Sequence, residues 1–216
     1  MTTISDSNIA HSIQTPGNDG ATLWLDAAYQ VLISQGVDKI RITALAEMVD
    51  STRTAFYWYF ASRQELLDKL IERWQAKNTG NLIARIDAYA ATVNEAVFNM
   101  FDCWLEPELF DAPFDLAVRN WANGDAELAQ KVREADEARI AALIRMFERF
   151  DYPATMAFTR AHTVYYTQIG YISMMVSDDP VLRIQRMPDY VEVYTGIKPG
   201  ADEIERFMAR HRVEAW

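Results

Sequence analysis

Apolar residues recur at intervals of three and four along most of this chain, which is the spacing of one helical face. Leu25, Ala28 and Leu32 follow this spacing near the N-terminus, and it returns clearly between residues 128 and 150. Strand-like alternation does not recur at regular intervals, and residues that favour helices dominate the composition. The pattern therefore predicts an all-α protein.

Capping residues, prolines and glycines set the expected limits of the helices. We expect helices over residues 19–35, 62–78, 82–101, 114–121, 125–150, 153–176 and 201–212, besides the two short helices described next. Pro180, Pro188 and the Pro199-Gly200 pair are predicted to interrupt the chain before the last of these helices. Residues 1–18 lack a periodic apolar face and are predicted to form a disordered tail.

Residues 41–60 have the form of two short helices joined by a tight turn. Thr43 can cap the first helix, and Met48 belongs to its predicted apolar stripe. Either Ser51 or Thr52 can cap the second helix. This arrangement is typical of a helix-turn-helix motif.

The second short helix has two different faces. Its apolar face holds three rings at positions i, i+3 and i+4, namely Phe56, Tyr59 and Phe60. Its opposite face offers a guanidinium, a hydroxyl and two further rings, from Arg53, Thr54, Tyr57 and Trp58. A recognition helix that enters a DNA major groove needs this division between a buried and a reading face. The pattern indicates a DNA reader.

This stretch resembles the DNA-binding motif of the tetracycline-repressor (TetR) family of bacterial transcription regulators. The resemblance covers residues 21–75, and it is carried by Leu45-Ala46-Glu47, Thr52-Arg53-Thr54-Ala55-Phe56-Tyr57, Tyr59-Phe60-Ala61-Ser62-Arg63 and Leu66-Leu67. It implies a three-helix DNA-binding domain over residues 19–78 with the motif at 41–60. It also implies a helical body over residues 79–216 that binds an effector and dimerises, with C-terminal helices such as 201–212 in the dimer interface.

The resemblance also implies roles for individual residues of the motif. Those expected to reach base edges or nearby sugars are Arg53, Thr54 and Trp58. Those expected to hold phosphates are Thr43, Thr52, Tyr57 and Arg63, which would set the register without reading sequence. We expect a homodimer on a near-palindromic operator, acting as a repressor that a small-molecule effector releases.

Two positions depart from the family pattern. Asp50-Ser51 occupies the turn where members usually have Gly-Val, and Trp58 stands where a small polar or basic residue is commoner. A carboxylate beside a phosphate repels it. We therefore expect an unusual affinity or target preference.

The charge balance restricts how this protein can bind DNA. The net charge is −10, with six basic and seven acidic residues at 21–75 and fifteen and twenty-two at 76–216. Broad, non-specific binding depends on neutralising phosphates, so binding here must depend on a few placed contacts. The same acidity keeps an alternative open, a helical ligand-binding or partner-binding protein of this fold with weak or lost DNA binding.

Composition also bears on the compartment. The single cysteine, Cys103, excludes an internal disulfide and suits a reducing cytoplasm. The N-terminus lacks the basic start and apolar block of a signal peptide. The weakly charged run at 154–176 contains Arg160 and His162, which favours a buried helix over a membrane span. We expect a soluble cytoplasmic protein that does not bind membranes.

Nothing in the sequence indicates catalysis or a metal site. The three histidines, His11, His162 and His211, have no metal-ligand spacing, and no nucleophile elbow or phosphate loop is present. Residues 102–115 carry five acids, which a divalent cation would favour, but their spacing matches no calcium loop. We predict that this segment is a solvated loop, and that the protein has no catalytic residues, metal or cofactor.

Aromatic residues are frequent in the C-terminal region. Most of them are expected to pack in the core, and some can line a pocket for an apolar or aromatic effector. The residues predicted for such a pocket are Trp104, Phe114, Trp121, Phe147, His162, Tyr165 and Tyr166.

Overall fold

The computed structural model describes residues 18–213, and every regular element in that range is helical. The helices are α1 (Asn18–Gln35), α2 (Ile42–Met48), α3 (Arg53–Phe56), α4 (Arg63–Trp74), α5 (Asn81–Asp87), α6 (Val93–Leu105), α7 (Ala112–Ala122), α8 (Ala126–Arg149), α9 (Ala154–Ser173), α10 (Pro180–Thr195) and α11 (Ala201–Arg210). A 3₁₀ turn (Val37–Lys39) follows α1, and a π-helical turn (Gln75–Gly80) joins α4 to α5. The all-α prediction is confirmed. The predicted tail and His11 lie outside the described residues, apart from Asn18, which begins α1.

Polar side chains define where several helices begin. Six of the described helices start at a residue whose side chain accepts a hydrogen bond from the N–H three positions ahead, at 2.9–3.1 Å. These caps are Thr52, Ser62, Thr92, Asp111, Asp125 and Asp179. Each contributes roughly 0.5–2 kcal/mol to helix stability. Thr43 is not a cap, because α2 begins one residue earlier and Arg41 occupies the capping position without a side-chain bond.

A first hydrophobic core lies inside α1–α4. Trp24 of α1 meets Phe56 of α3 edge-on at 5.2 Å between ring centroids, and Phe60 is buried beside them. α1 therefore fixes the two motif helices relative to each other. Met48 is exposed rather than buried as its stripe predicted, because Leu45 and Ala46 fill the contacts of α2 with its neighbours.

Gly20 lies where α1 passes close to the end of the motif. A methyl group at Gly20 would overlap the ring of Tyr59. The close approach holds the segment after α3 against α1.

A second core lies among α5, α6, α8, α9, α10 and α11, where Phe98 stacks on Phe207 at 4.4 Å between centroids. The first core also takes in residues of α7 and of the first half of α8, including Phe114 and Val132. α8 thus contributes to both cores and connects them. The boundary predicted at residues 78–79 falls within the π-helical turn, and the division into two domains stays a prediction.

The single helix predicted over residues 82–101 is two helices, α5 and α6. Thr92 caps α6, and the carboxylate of Glu95 accepts the N–H of Ala91 at 2.9 Å, so local hydrogen bonds favour a new start. Ile86 and Val93 are both buried, which carries the apolar periodicity across the interruption. Tyr89 is 89% exposed in the connection between them.

Pro188 does not interrupt the chain, because α10 runs through it from Pro180 to Thr195. A proline inside a helix removes one backbone hydrogen bond and crowds the preceding turn. Ile184, Met187 and Val191 are buried on either side of it, and their packing maintains the helix.

Residues 102–115 are not a solvated loop. Asp102 lies within α6, Asp115 lies within α7, and both are fully buried, while Asp111 caps α7 and is nearly buried. The sequence of this segment did not indicate that its acids are buried, because the basic residues that pair with them are distant in sequence. Asp102 pairs with Arg210 of α11 at 2.5 Å and with His211 at 3.0 Å.

Cys103 is buried in α6, and burial raises the pKa of its thiol to about 12. A membrane-spanning helix, judged by length and apolar character, does not occur among residues 18–213.

Candidate nucleic-acid interface

The turn between α2 and α3 is held by backbone hydrogen bonds. The N–H of Ser51 donates to the carbonyl of Ala46 at 2.9 Å, which folds the chain back after α2. Asp50 adopts a backbone φ of +47°, in the left-handed region that favours glycine. Thr52 then begins α3 by accepting the N–H of Ala55. The motif is thus a short, tightly closed helix pair.

The two faces predicted for the second helix are present. Phe56 and Phe60 are buried in the first core, and Tyr59 is half-buried. The outward face consists of Arg53 and Thr54, which are exposed, with Tyr57 (47% exposed) and Trp58 (67% exposed). α3 itself ends at Phe56, and Tyr57–Tyr59 continue as a turn, so the reading face is one and a half turns long at most.

A basic cleft of about 360 Å³ adjoins this face. Arg41, Arg53 and Arg63 all line it, together with Asp38. Three guanidiniums against one carboxylate give the cleft a local charge opposite to that of the whole chain. The cleft can hold an anionic group such as a backbone phosphate.

Arg63 was predicted only as a phosphate contact, but it also braces the domain. Its Nε donates to the carbonyl of Ile40 at 2.6 Å, and its Nη2 donates to the carbonyl of Val37 at 2.8 Å. These bonds fix the segment between α1 and α2 against α4. Arg63 also lines the cleft. Thr43 and Thr52 are exposed on the same side of the motif region.

A buried polar network joins α4 to the rest of the helical body. Its centre is Asp115 of α7, which accepts hydrogen bonds from Trp74 (2.9 Å), Arg119 (2.8 Å) and Arg139 (3.1 Å). Burial alone would raise the pKa of Asp115, but the two guanidiniums and these hydrogen bonds outweigh it, so the pKa lies below its ordinary value. Asp115 is therefore charged, and its charge is neutralised by Arg119 and Arg139.

The network continues into α8 and α9. Arg119 binds Asp136 with two hydrogen bonds, at 2.9 and 2.6 Å, and the hydroxyl of Tyr165 donates to Asp136 at 2.6 Å. Arg139 donates to Thr79 of the π-helical turn at 2.9 Å. Five elements thus meet at one cluster of charges.

A second connection links α1 to the same region. The hydroxyl of Tyr29 donates to Asp111 at 2.7 Å, and burial together with this carboxylate raises the pKa of Tyr29 to about 12. Asn78 of the π-helical turn donates to the carbonyl of Asp111 at 2.9 Å and accepts its N–H at 3.0 Å. Sequence reasoning missed these residues, since a buried Asn or Asp looks like a surface residue until its partner is known.

The seven residues predicted for a ligand pocket do not surround one cavity. Phe114 is buried in the first core, Phe147 in the second, and Tyr165 in the polar network. His162 and Tyr166 face outward from α9. Trp121 lines an open groove of about 690 Å³ between α1, α7 and the end of α9. Trp104 lines a separate, small cavity between α6, α9 and α10. Aromatic composition marked the region without showing which ring faces which space.

The outward face of α9 is apolar and aromatic. Phe158 and Tyr166 are exposed, and the ring of His162 lies between them, 3.9 Å from Phe158 and 5.5 Å from Tyr166 between centroids. Met174 continues this surface beyond the end of the helix. α11, in contrast, buries Phe207 and Met208 and exposes charged residues such as Arg206. Exposed apolar surface therefore lies on α9 rather than on α11.

Two short helices joined by a tight turn, with one buried face and one outward polar and aromatic face, have the form of a helix-turn-helix motif. Residues 25–70 match the family model described as "Bacterial regulatory proteins, tetR family". Over residues 25–70 the chain is therefore similar to the TetR family of bacterial regulatory proteins.

Solved structures share the whole fold at low sequence identity. A candidate TetR-family transcriptional regulator from Mesorhizobium loti MAFF303099 is 13% identical with a TM-score of 0.56, over 91% of this chain and 98% of that one. A transcriptional regulator from Rhodococcus sp. Rha1 is 16% identical with a TM-score of 0.54, over 88% and 96%. A candidate regulator from Streptomyces coelicolor A3(2) is 14% identical with a TM-score of 0.53, over 83% and 99%. A comparison with curated proteins finds no match.

Proposed function

We propose that this protein is a dimeric transcription repressor that binds a near-palindromic operator and is released by a small molecule. The observation that carries the proposal is the reading face of α3. Arg53, Thr54, Tyr57 and Trp58 are exposed together, while Phe56 and Phe60 anchor the same segment in the core. Surface-exposed rings beside a guanidinium are costly to leave in water and suit a groove of DNA.

The contacts divide into those that read bases and those that hold the backbone. Arg53, Thr54 and Trp58 reach base edges or the sugars beside them. Thr43, Thr52, Tyr57 and Arg63 hold phosphates, with Arg63 acting from the basic cleft. The acidic body keeps the protein off random DNA, so affinity depends on these few residues.

A second copy of the chain covers the exposed face of α9. Phe158, His162 and Tyr166 form a continuous aromatic surface, and aromatic residues are typical of interface cores. A two-fold axis through this surface brings two reading faces to one side of the dimer. Their separation must match successive major grooves, roughly 34–36 Å apart.

An effector in the body acts by changing that separation. The network around Asp115 connects α4, which packs in the first core with the two motif helices, with α7, α8 and α9. A ligand that binds better to one arrangement of these helices shifts the population toward it, and does so only by its difference in affinity. The released form is the arrangement whose two reading faces no longer fit the operator.

The test is fluorescence anisotropy with DNA fragments from around the protein's own gene, beside scrambled DNA of equal length. We expect one fragment to bind at least 1,000-fold more tightly than scrambled DNA, as is usual for a specific site. Equal, weak binding to every fragment, including a genome-wide set, would contradict the proposal. That result would favour a ligand-binding or partner-binding protein of the same fold, to which Asp50 and the net charge of −10 already point.

A further inference from the structure

The small cavity between α6, α9 and α10 has an unusual lining. Its volume is about 30 Å³, enough for roughly one or two water molecules. Four aromatic residues are among those that line it, namely Trp104, Tyr171, Tyr190 and Tyr194. Such flat walls accept a planar apolar group, because aromatic rings pack well face to face or edge to face.

Two guanidiniums stand at one side of this cavity. Arg183 and Arg186 lie one turn apart near the start of α10, and both line the space. Neither forms an ion pair with a carboxylate in the part of the chain that the structure describes. Arg119 and Arg139, by contrast, both form ion pairs with Asp115, and Arg119 also pairs with Asp136. Arg183 lies over the ring of Tyr171, 5.7 Å from its centroid, which leaves the guanidinium edges of the pair without a carboxylate partner among the described residues.

The indole N–H of Trp104 is a third donor in the same place. It is buried and has no hydrogen-bond partner within residues 18–213. A buried donor without an acceptor costs free energy until an acceptor arrives. Trp104 lines the cavity beside the tyrosine rings, which places this indole next to whatever occupies the space.

We propose that this cavity is the binding site for an aromatic carboxylate. The ring of the ligand lies among Trp104 and the three tyrosines, and its carboxylate is held by Arg183 and Arg186. The N–H of Trp104 supplies a further donor. Asp178 also lines the cavity, but one carboxylate against two guanidiniums favours an anion over a cation. That this ligand is the effector rests on the function proposed above.

Opening the cavity gives the ligand a means to act on the fold. The hydroxyls of Tyr171 and Tyr190 are hydrogen-bonded at 2.7 Å and connect α9 to α10 across the space. A ligand larger than the cavity must break this bond and move α10 away from α9, so it binds only the opened arrangement. α9 also carries Tyr165, whose hydroxyl belongs to the network that reaches α4. α9 therefore contacts the cavity through Tyr171 and the network around Asp115 through Tyr165. A ligand that moves α10 away from α9 changes the contacts of a helix that reaches both places.

The test is isothermal titration calorimetry on the full chain with benzoate, 1-naphthoate and biphenyl-4-carboxylate. Each acid is paired with its primary amide, and benzylamine serves as the cation. We expect at least one acid to bind roughly 10- to 100-fold more tightly than its amide, since a charge-assisted hydrogen bond is lost. No preference for any acid over its amide, or tighter binding of benzylamine, would overturn the proposal.

Variants then locate the site. Arg183→Gln and Arg186→Gln should each weaken the acid roughly tenfold and leave the amide unchanged, and Trp104→Phe should weaken the acid while keeping the ring wall. Arg145→Gln is the matched control, because Arg145 is an exposed cation on α8 that does not line the cavity. Equal affinities for all of these variants would place the acid elsewhere and overturn the assignment. Circular dichroism confirms that each variant is folded.

The site and the effector role can fail separately. If an acid binds as described but leaves the operator complex intact, the site stands and the effector part of the proposed function fails. If the acid binds and no operator exists, the site again stands and DNA regulation fails. If the operator is bound and no acid binds, the site fails alone.

Discussion

Asp50 is unfavourable for the motif in two ways, through its backbone conformation and through its negative charge beside DNA. Its φ of +47° is a conformation that a residue with a side chain adopts at a cost, and its carboxylate is exposed in the turn of the DNA-reading motif. Glycine would meet neither difficulty. The aspartate suits a protein that binds few DNA sequences, because its carboxylate repels any DNA phosphate nearby and so lowers the affinity for DNA in general.

Replacing Asp50 tests both effects. Asp50→Gly should stabilise the chain by about 0.5–1 kcal/mol, since the left-handed strain removed exceeds the added freedom of the unfolded glycine. It should also tighten operator binding, more at low salt than at high salt. Asp50→Asn separates the two, because it removes the charge but keeps a side chain. Urea unfolding measures the effect on stability, and fluorescence anisotropy measures the effect on DNA binding. If neither variant binds DNA more tightly than wild type, Asp50 lies away from the DNA.

α3 shows how little regular helix supports the reading face. It has four residues, so its geometry depends on its cap and on the burial of Phe56 rather than on helix propensity. Thr52 supplies the cap, and its hydroxyl hydrogen remains able to donate to a phosphate.

Removing the cap should loosen α3. Thr52→Ala should cost roughly 0.5–2 kcal/mol of stability, because the N–H of Ala55 loses its acceptor. Thr52→Ser keeps the hydroxyl and should restore most of the loss, while Ser51→Ala should have little effect. Thermal unfolding of the three variants measures this. A larger loss from Ser51→Ala than from Thr52→Ala would show that the cap has been misassigned.

The contrast between elements explains what the sequence could predict. The two faces of the motif and the limits of α7 and α8, to within two residues, were predicted, since each depends on residues within one or two turns of one another. The break at 88–92 and the continuity through Pro188 were not, because tertiary packing decided both. Asp102, Asp111 and Asp115 were mistaken for a loop for the same reason. Their partners Arg210, Tyr29 and Arg139 come from other helices, and no local pattern encodes such a pairing.

The ion pairs of Asp115 should make the free energy of unfolding depend on pH. Because its folded pKa is lowered, its contribution to stability is present above the unfolded value of about 3.9 and is lost as pH falls through the folded value. Asp115→Asn should cost about 3–5 kcal/mol at neutral pH, since it leaves buried guanidiniums without their anion. The difference in free energy of unfolding between Asp115→Asn and wild type should become smaller below about pH 4. Urea unfolding at pH 7 and pH 3 measures this, with Glu127→Gln, an exposed pair, as control. A gap that is independent of pH would contradict the account.

At the scale of the whole molecule, the proposed function depends on two exposed surfaces within residues 18–213. One is the reading face of α3 and the other is the aromatic face of α9. The buried network around Asp115 includes Trp74 of α4, which packs beside the motif helices, and Tyr165 of α9. A change in this network can therefore affect both surfaces.

The face of α9 can be tested by charge. Phe158→Asp should weaken dimerisation by roughly 3–5 kcal/mol, because each copy would bury an unpaired carboxylate at the interface. Tyr89→Asp is the control, since Tyr89 is exposed in a different connection. Sedimentation over a range of concentrations should show wild type and control at twice the 24.8 kDa chain mass and the α9 variant as a monomer. A monomeric wild type, or a dimeric α9 variant, would contradict this assignment.

The central claim is that Arg53 and its neighbours read a DNA sequence. It is tested most directly by the affinity of wild type, Arg53→Ala and Arg145→Ala for the selected operator at 50 and 200 mM salt. Both variants remove one positive charge, but only Arg53 lies on the reading face. We predict that Arg53→Ala loses about 1–3 kcal/mol of operator binding, with no comparable loss on scrambled DNA, and that Arg145→Ala matches wild type. Equal affinity of all three proteins would remove α3 from the interface and contradict the account.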